Sequence, residues 1–189
     1  MRVALDLDST IAATCRVAFD LICGPDHDYS YADIESWEWG LEEFGEARYL
    51  SALWHAWTLR HQEIEPMEPA PSFQTYSIKT HPEVDTLDIV SKYPDHKGAE
   101  QYRRRWLDDH GIEFDEFVRV DGSKAALDYD VYVDDDPRLP AAVAERDAPG
   151  TVVVYDQPYN RDVDVPHHRA HRLIEVNQAL LEVSADVGA

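Results

Sequence analysis

The alternation of short apolar runs with helical patterns constrains the fold of this chain more than any other feature. Runs of β-prone residues lie at 2–7, 86–90, 117–120, 130–133 and 151–155. Helical patterns follow three of these runs, at 98–110, 139–146 and 168–183. Strands joined through helices lie parallel, because a helical crossover returns the chain to the same end of the sheet. The sequence therefore predicts an α/β fold with one five-stranded, mostly parallel sheet, and such crossovers can cover both of its faces.

The first half of the chain interrupts this alternation with a stretch of helical composition. Residues 30–64 are rich in Trp, Tyr and Glu and are predicted to form helices. The segment 65–71 contains three prolines, which remove backbone donors and end a helix. We therefore expect a Rossmann-like three-layer α/β/α core made of residues 1–12 and 71–189, and a small helical cap, residues 13–70, inserted after the first strand.

The charge balance restricts the partners of the protein. The formal net charge is -21, from 38 acidic and 17 basic residues. Such a surface repels the phosphates of nucleic acids and of anionic membranes, so we expect neither as a partner. The chain also lacks the roughly 18 consecutive apolar residues of a membrane span and the apolar run of a signal peptide. We therefore expect a cytoplasmic protein, whose two cysteines show no metal-binding or redox spacing.

Lysine is scarce among the basic residues, and occurs only at positions 79, 92, 97 and 124. An excess of Asp with few Lys is typical of the cytoplasmic proteins of salt-loving microbes, in which high salt screens the self-repulsion of the surface. An ordinary acidic protein is the alternative. The sequence thus favours a halophilic protein whose stability increases with salt.

Polar side chains of the types that are common in active sites follow four of the predicted strands. The first strand ends in Asp6-Leu7-Asp8-Ser9-Thr10, the second in Ser91, and the fourth in Asp134-Asp135-Asp136, while Lys124 follows the third. In an open parallel sheet, functional groups collect at the carboxyl ends of the strands. Each cluster alone has a simpler interpretation, because Asp favours turns and three acids before Pro137 suit a solvated turn. The ordered set of acid pair, hydroxyl, lysine and second acid cluster is far more specific than any of its members.

This ordered set resembles the four motifs of the haloacid dehalogenase superfamily. Residues 6–10 resemble the first motif, Asp-x-Asp-x-Thr/Val, and Ser91, Lys124 and the pair Asp134-Asp135 resemble the second, third and fourth motifs. The resemblance covers the whole chain, because residues 13–70 match the small helical cap that follows the first motif. Each motif is short, and their order along the chain carries the resemblance.

The resemblance implies a magnesium-dependent phosphatase. Asp6 would be the nucleophile that forms an aspartyl-phosphate, and Asp8 would donate and then accept a proton. The ligands of Mg²⁺ would be the Asp6 side chain, the Asp8 backbone carbonyl and one acid of the fourth motif, with Asp135 favoured and Asp134 in reserve. An aspartate at the position of Asp8 favours phosphomonoester hydrolysis over ion pumping, and it disfavours a dehalogenase.

The phosphoryl group would be held by Ser91 and Lys124, together with the segment around Ser9. Ser9 stands where the nucleotidase branch of the superfamily usually has Gly, and its small size still lets the backbone approach a phosphate. The second motif is commonly Thr followed by a small residue, whereas this chain has Ser91-Lys92. Lys92 is therefore either a further phosphate contact or a solvated side chain.

The substrate class is suggested by two further similarities. The small helical cap, and the segment 156–161 that contains Pro158-Tyr159-Asn160, resemble the 5'(3')-deoxyribonucleotidase branch. Trp37 and Trp39 are candidates for stacking on a base, whereas two later tryptophans, at 54 and 57, have the spacing of core residues. A nucleoside monophosphate is therefore the first choice of substrate.

Two other functions remain open. One keeps the same site and acts on a sugar phosphate or another small metabolite phosphate. The other is a non-catalytic binding module on the same fold. The sequence leaves the oligomeric state open, and it predicts that Arg103, Arg104 and Arg105 form one exposed helix face that pairs with acidic residues.

Overall fold

A single parallel sheet organises the structure, a computed structural model that describes residues 1–93, 98–146 and 150–187. Its strands are β1 (Arg2–Leu5), β2 (Thr86–Lys92), β3 (Phe117–Val120), β4 (Val131–Asp134), β5 (Thr151–Tyr155) and β6 (His168–Ala170). They lie in the order β3-β2-β1-β4-β5-β6, and every neighbouring pair is parallel. The predicted α/β class and parallel sheet are confirmed, and the sheet has one strand more than the five that the sequence predicts.

The additional strand corrects the prediction of a helix over 168–183. Residues His168–Ala170 pair with β5, and the chain then forms a 3-10 turn, Leu173–Glu175, before it enters a helix. A three-residue strand at the sheet edge is too short to show an alternating pattern, and only Ala170 of the three is buried. Pairing with β5 therefore decides its conformation, and no local signal does so.

Seven α-helices accompany the sheet in the described part of the chain. They are α1 (Thr14–Cys23), α2 (Trp39–Phe44), α3 (Glu46–Arg60), α4 (Pro71–Lys79), α5 (Ala99–Asp109), α6 (Leu139–Ala144) and α7 (Val176–Val187). Helices predicted at 98–110 and 139–146 are found as α5 and α6. Helix α4 was not predicted, although it begins at Pro71, a position where the missing N–H of proline costs nothing.

The two faces of the sheet bury different residues of the same strands. Leu5, Ile89 and Val133 face a core that includes side chains of α4, α5 and α7. Their neighbours in sequence, among them Ala4 and Val90, face a second core closed by α6. Strands buried on both faces appear in the sequence as apolar runs. This explains why β1, β2, β4 and β5 are among the five strands that the sequence predicts.

The helical segment, residues 14–63, builds a third core of its own. Here α1 and α3 pack together, and the ring of Phe19 lies 5.9 Å from that of Tyr29, 5.7 Å from Trp39 and 6.1 Å from Phe44. We call these four rings the aromatic cluster. Trp39 packs edge to face against each of the other three rings, and such contacts stabilise a core beyond the area that they bury.

The prediction of a cap at 13–70 and a core at 1–12 and 71–189 stays a prediction as a domain division. Within the described residues, no helix has both the length and the apolar character that a membrane span requires.

Candidate active site

The site lies at the carboxyl end of the sheet, where the order of the strands reverses beside β1. Strand β1 lies between β2 and β4, so the residues that leave these three strands emerge side by side. Asp6 follows β1 directly, and its backbone N–H donates to the carbonyl of Val133 at 2.9 Å. Neighbouring crossovers depart in opposite directions at such a point and leave a crevice for a ligand.

A buried charge cluster fills the floor of this crevice. Carboxylate oxygens of Asp6, Asp134 and Asp135 lie within 4.8 Å of one another, and all three residues are buried. The Nζ of Lys124 lies 2.5 Å from Oδ1 of Asp6 and 2.7 Å from Oδ2 of Asp134. One lysine therefore faces three carboxylates, which leaves negative charge uncompensated in a place that water barely reaches.

The ionisation of these groups reflects that imbalance. Burial raises the pKa of Asp6 well above its usual value, although the nearby Lys124 opposes the shift. Burial, and then the negative charge of Asp134, raise the pKa of Asp135 to about 6. Burial would lower the pKa of Lys124, but Asp134 and Asp6 together raise it above its ordinary value. Lys124 is therefore charged, and full ionisation of the acids needs further positive charge.

Asp8 is held by donors from both sides of the crevice. Its Oδ1 accepts hydrogen bonds from the Thr14 hydroxyl at 2.7 Å and from the indole N–H of Trp57 at 2.6 Å. Its Oδ2 accepts one from the Ser91 hydroxyl at 3.2 Å. Thr14 and Trp57 belong to the helical segment and Ser91 to β2, so the position of Asp8 depends on both parts of the protein.

The turn after β1 explains the small residue at position 9. Ser9 has a φ of +63°, a left-handed conformation that favours glycine and is tolerated by few other residues. Its carbonyl accepts a hydrogen bond from the side chain of Gln157 at 2.8 Å, which fixes the turn. Its hydroxyl lies 3.2 Å from the Tyr31 hydroxyl and 3.6 Å from the sulfur of Cys15. The side chain of Ser9 therefore faces the helical segment.

The acid pair is supported by residues whose roles were not predicted from the sequence. Oδ1 of Asp135 accepts a hydrogen bond from the Thr10 hydroxyl at 3.1 Å, and Oδ2 accepts one from the Tyr159 hydroxyl. The side chain of Asn160 donates to the carbonyl of Asp135 at 3.0 Å. For Tyr159 and Asn160, the sequence signal was the segment Pro158-Tyr159-Asn160. Its composition predicts a turn but does not indicate which groups its side chains contact.

Asp134 and Asp135 differ in their partners. Asp134 pairs with Lys124 through Oδ2 and accepts the backbone N–H of Asp136 through Oδ1 at 2.9 Å. Asp135 contacts only neutral hydroxyl donors among these partners. Both residues contribute an oxygen to the buried cluster, so both remain candidate metal ligands.

A cavity of about 880 Å³ lies between the charge cluster and the helical segment. Asp6, Asp8, Lys124 and both acids of the fourth motif line its floor. The opposite wall is largely apolar and comes from the helical segment, with Ile34, Trp37, Leu41, Leu53 and Trp54 among its residues. The cavity thus has a charged floor and a largely apolar wall.

The two tryptophans proposed as stacking residues lie in different places. Trp37 lines the cavity, where its ring is 5.7 Å from that of Tyr159 and the guanidinium of Arg138 lies 4.8 Å above it. Trp39 is not among the described residues that line the cavity, and it belongs to the aromatic cluster instead. Only Trp37 therefore has the position that stacking on a substrate requires.

Lys92 lines the cavity with an exposed side chain. Among the described residues it has no ion-pair partner, although the chain carries 38 acids. Ser91 is buried and is not among the residues that line the cavity. Its hydroxyl donates to Asp8. Lys92 is thus a cation that lines the cavity and forms no ion pair within the described part of the chain.

The prediction of an exposed face formed by three arginines is wrong for Arg103. Arg104 and Arg105 are exposed and pair with Glu100 and Asp109 four residues away. Arg103 is only 5% exposed, because 103 continues the buried stripe of α5 that Ala99 and Trp106 define. This 99-103-106 spacing was visible in the sequence and is the signal that could have placed Arg103 inward.

Comparisons with protein-family models and with curated proteins found no match. The geometry of the site nevertheless brings Asp6, Asp8, Ser91, Lys124 and the acid pair together from four separate segments of the chain. The function is therefore inferred from that geometry and from the resemblance of the motifs.

Proposed function

We propose that this protein is a Mg²⁺-dependent phosphomonoester hydrolase of the haloacid dehalogenase type, with a Rossmann-like core. The observation that carries the proposal is the contact of Lys124 with both Asp6 and Asp134 at the carboxyl ends of β1 and β4. A nucleophile, a cation and an acid cluster meet there although long stretches of chain separate them. The strand order, with its reversal beside β1, supports the Rossmann-like assignment.

The first half of the reaction forms a covalent intermediate. A carboxylate oxygen of Asp6 attacks the phosphorus of the substrate, and the bond from phosphorus to the ester oxygen breaks. Asp8 gives its proton to that ester oxygen, so the leaving group departs as a neutral alcohol. Lys124 stabilises the charge on the transferring phosphoryl oxygens, and in this proposal the Ser91 hydroxyl donates to them after it leaves Asp8.

The second half regenerates the enzyme. Water attacks the phosphorus of the aspartyl-phosphate, and Asp8, now a carboxylate, accepts a proton from that water. The bond between phosphorus and Asp6 breaks, which releases inorganic phosphate and restores both aspartates to their starting states. The hydrogen bonds from Thr14 and Trp57 hold Asp8 ready for this transfer.

The donor set fits a magnesium ion. Asp6, Asp134 and Asp135 offer buried carboxylate oxygens, which are the ligands that Mg²⁺ prefers, and Lys124 alone does not balance their charge. Asp135 stays the first choice beside Asp6, because its two side-chain hydrogen bonds in the described residues come from neutral hydroxyls, and Asp134 and the Asp8 carbonyl complete the proposed set. Bound Mg²⁺ would supply positive charge that lets Asp6 and a phosphate dianion approach each other.

The cavity favours a substrate with an apolar or aromatic leaving group. Its wall offers the side chains of Trp37, Leu41 and Leu53, whose single hydrogen-bonding group is the indole N–H of Trp37, too few for the several hydroxyls of a sugar. A volume of about 880 Å³ is large enough for a nucleoside monophosphate. We therefore place nucleoside monophosphates first, sugar and other metabolite phosphates second and a non-catalytic binding module third. A cytoplasmic, salt-rich location is part of the same proposal.

A phosphate-release assay tests the proposal. The purified protein, with Mg²⁺ and high KCl, is offered deoxynucleoside monophosphates, ribonucleoside monophosphates and sugar phosphates at equal concentrations, with Asp6→Asn as the matched control. Release from the nucleotides by the parent alone would support the first choice. Release from sugar phosphates alone would favour the second. Absence of release from every phosphomonoester, with or without Mg²⁺, would leave the binding module.

A further inference from the structure

The guanidinium of Arg103 occupies an unusual position for a charged group. It lies between two aromatic rings, 4.7 Å from the centroid of Trp57 and 4.0 Å from that of Tyr93. The side chain is only 6% exposed, although arginine is almost never fully buried unless it is paired. A cation placed there by the fold has to be balanced by a nearby charge.

The charge that Arg103 meets is the carboxylate of Asp8. Its Nη2 lies 3.6 Å from Oδ2 of Asp8, and Nη1 donates to the carbonyl of Ala99 at 3.4 Å. Its Nε is buried without a hydrogen-bond partner among the described residues. Burial lowers the pKa of Arg103, and the charge of Asp8 opposes that shift. The two rings and the Ala99 carbonyl also favour a cation here, and Asp8 supplies the ion-pair partner that they lack.

The two oxygens of Asp8 are held unequally. Oδ1 accepts two hydrogen bonds of 2.7 Å or less, from Thr14 and Trp57, whereas Oδ2 has the longer contacts to Ser91 and Arg103. A hydroxyl donates one hydrogen bond at a time, so Ser91 releases Oδ2 when it donates to a phosphate. Arg103 is then the group that still fixes Oδ2, the oxygen free to exchange a proton with the leaving group.

We propose that Arg103 is a positioning residue that holds Oδ2 of Asp8 in line with the leaving group. Arg103 lines the cavity together with Trp57 and Tyr93, but its guanidinium lies between the two rings and against Asp8, so we assign its action to Asp8 and not to the substrate. Trp57 helps to hold both Arg103 and Asp8, because its ring packs against the guanidinium while its N–H donates to Oδ1 of Asp8. The inference rests on the proposed function, in which Asp8 is the proton donor.

Comparison of two leaving groups separates positioning from a structural role. Arg103→Met keeps a long apolar side chain between the rings and removes the charge, and Arg103→Lys keeps the charge. Arg105→Met changes an exposed arginine of the same helix and is the control. Nitrophenyl phosphate needs no proton donor, whereas an alkyl phosphate does. Because general acid catalysis contributes about 10²–10⁴-fold, Arg103→Met should lose at least about tenfold more kcat/KM on the alkyl phosphate than on nitrophenyl phosphate.

The remaining variants make the result decisive. Arg103→Lys should recover most of the lost discrimination, and Arg105→Met should behave as the parent. In an Asp8→Asn background, Arg103→Met should add no further difference between the two substrates. Equal losses on both substrates, or a difference that persists without the Asp8 carboxylate, would overturn the assignment of Arg103.

A crystal structure of Arg103→Met answers the question even if the protein hydrolyses no phosphomonoester. Because Ser91 also holds Oδ2 when no phosphate is bound, the comparison is made in a Ser91→Ala background, where the proposal expects Oδ2 of Asp8 to leave the position that it has with Arg103 present, while Trp57 stays in place. An unmoved Asp8 in a well-folded variant would refute the positioning role. Failure of the parent in the phosphate-release assay would instead refute the proposed function, so the two failures are distinguishable.

Discussion

The floor of the cavity and the helical segment above it are built by different physical means. At the floor, buried carboxylates surround one lysine, and their spacing is set by the ends of neighbouring strands. In the helical segment, aromatic rings pack edge to face and leave an apolar wall. Charges that oppose one another cost stability, whereas packed rings supply it. The comparison indicates that the floor is held at a cost in stability, whereas the packing of the helical segment contributes stability.

The largest effect is expected at the floor, from Asp6→Asn. Turnover should fall by about 10⁴-fold or more, because an amide cannot form the aspartyl-phosphate. The metal-free variant should nevertheless melt higher than the parent at pH 7. The pKa of Asp6 is raised in the folded state, so its ionised form destabilises the fold at neutral pH, and the amide removes that charge.

Steady-state assays and thermal melts check both halves of this prediction. A gain of about 1 kcal/mol corresponds to roughly 2–4 °C in a chain of this size. Asp109→Asn, which removes an exposed carboxylate of α5, is the control for a simple change of net charge. Activity within tenfold of the parent, or a variant that melts lower, would contradict the description of the floor as a strained charge cluster.

Magnesium should have the next largest effect, and it should depend on pH. The pKa of Asp135 is about 6 when folded, against roughly 3.9 for an unperturbed Asp. Its protonated form therefore stabilises the metal-free protein below about pH 4, and that stability is lost as the pH rises through 6. Mg²⁺ binds the ionised carboxylates, so its stabilising effect should grow from pH 5 to pH 7.5.

Melting temperatures with Mg²⁺ or with a chelator, at each pH, measure this dependence. Asp135→Asn should reduce the magnesium effect at pH 7.5, while Asp109→Asn should leave it intact. An equal magnesium effect at both pH values, or none at either, would argue against a metal at the floor.

Two tryptophans allow the comparison to be sharpened within the helical segment. Trp57→Phe removes the N–H that binds Asp8 and keeps most of the ring, so kcat should fall by about tenfold. Trp39→Phe alters the aromatic cluster, where no catalytic group is in contact, so it should lower stability by about 1 kcal/mol and change kcat by less than about twofold. Steady-state assays measure kcat and thermal melts measure stability for both variants. Equal changes in kcat would mean that the helical segment affects catalysis only through its overall packing.

Salt should have the smallest and most diffuse effect. A chain with a net charge of -21 repels itself, and added KCl screens exposed charges far better than buried ones. Melting temperature should therefore rise between about 0.1 M and about 2 M KCl, and the rise should be similar in the parent and in Asp6→Asn. Unchanged melting over that range would remove the halophilic interpretation. A rise confined to the parent would show that the buried floor is also screened.

The part of the site that sequence could predict is the part that follows directly from strand ends. Asp6 and Asp134 come directly after apolar residues, Lys124 follows the β-prone run 117–120 after three further residues, and parallel strands bring their carboxyl ends to one edge. The partners of these residues were beyond prediction, because they depend on how distant segments pack. Tyr159 reaches Asp135 only through the turn that follows β5.

The fold shows the same division. Strands buried on both faces were predicted, and the edge strand β6 was not, because its conformation depends on pairing with β5. Trp37 and Trp39 look equivalent in the sequence, yet Trp37 lines the cavity and Trp39 packs inside the aromatic cluster. Trp37 lies before α2 and Trp39 is the first residue of that helix, and the sequence offers no periodic pattern that separates the two positions.

Chemical trapping of the covalent intermediate tests the central claim most directly. The parent protein is mixed with substrate and Mg²⁺, quenched within one turnover, and treated with borohydride, which reduces an acyl phosphate to the alcohol. The account predicts that peptide mass spectrometry finds homoserine in place of aspartate at position 6, and that Asp6→Asn gives no such product. Reduction at another carboxylate, or no reduced residue while phosphate is being released, would contradict it.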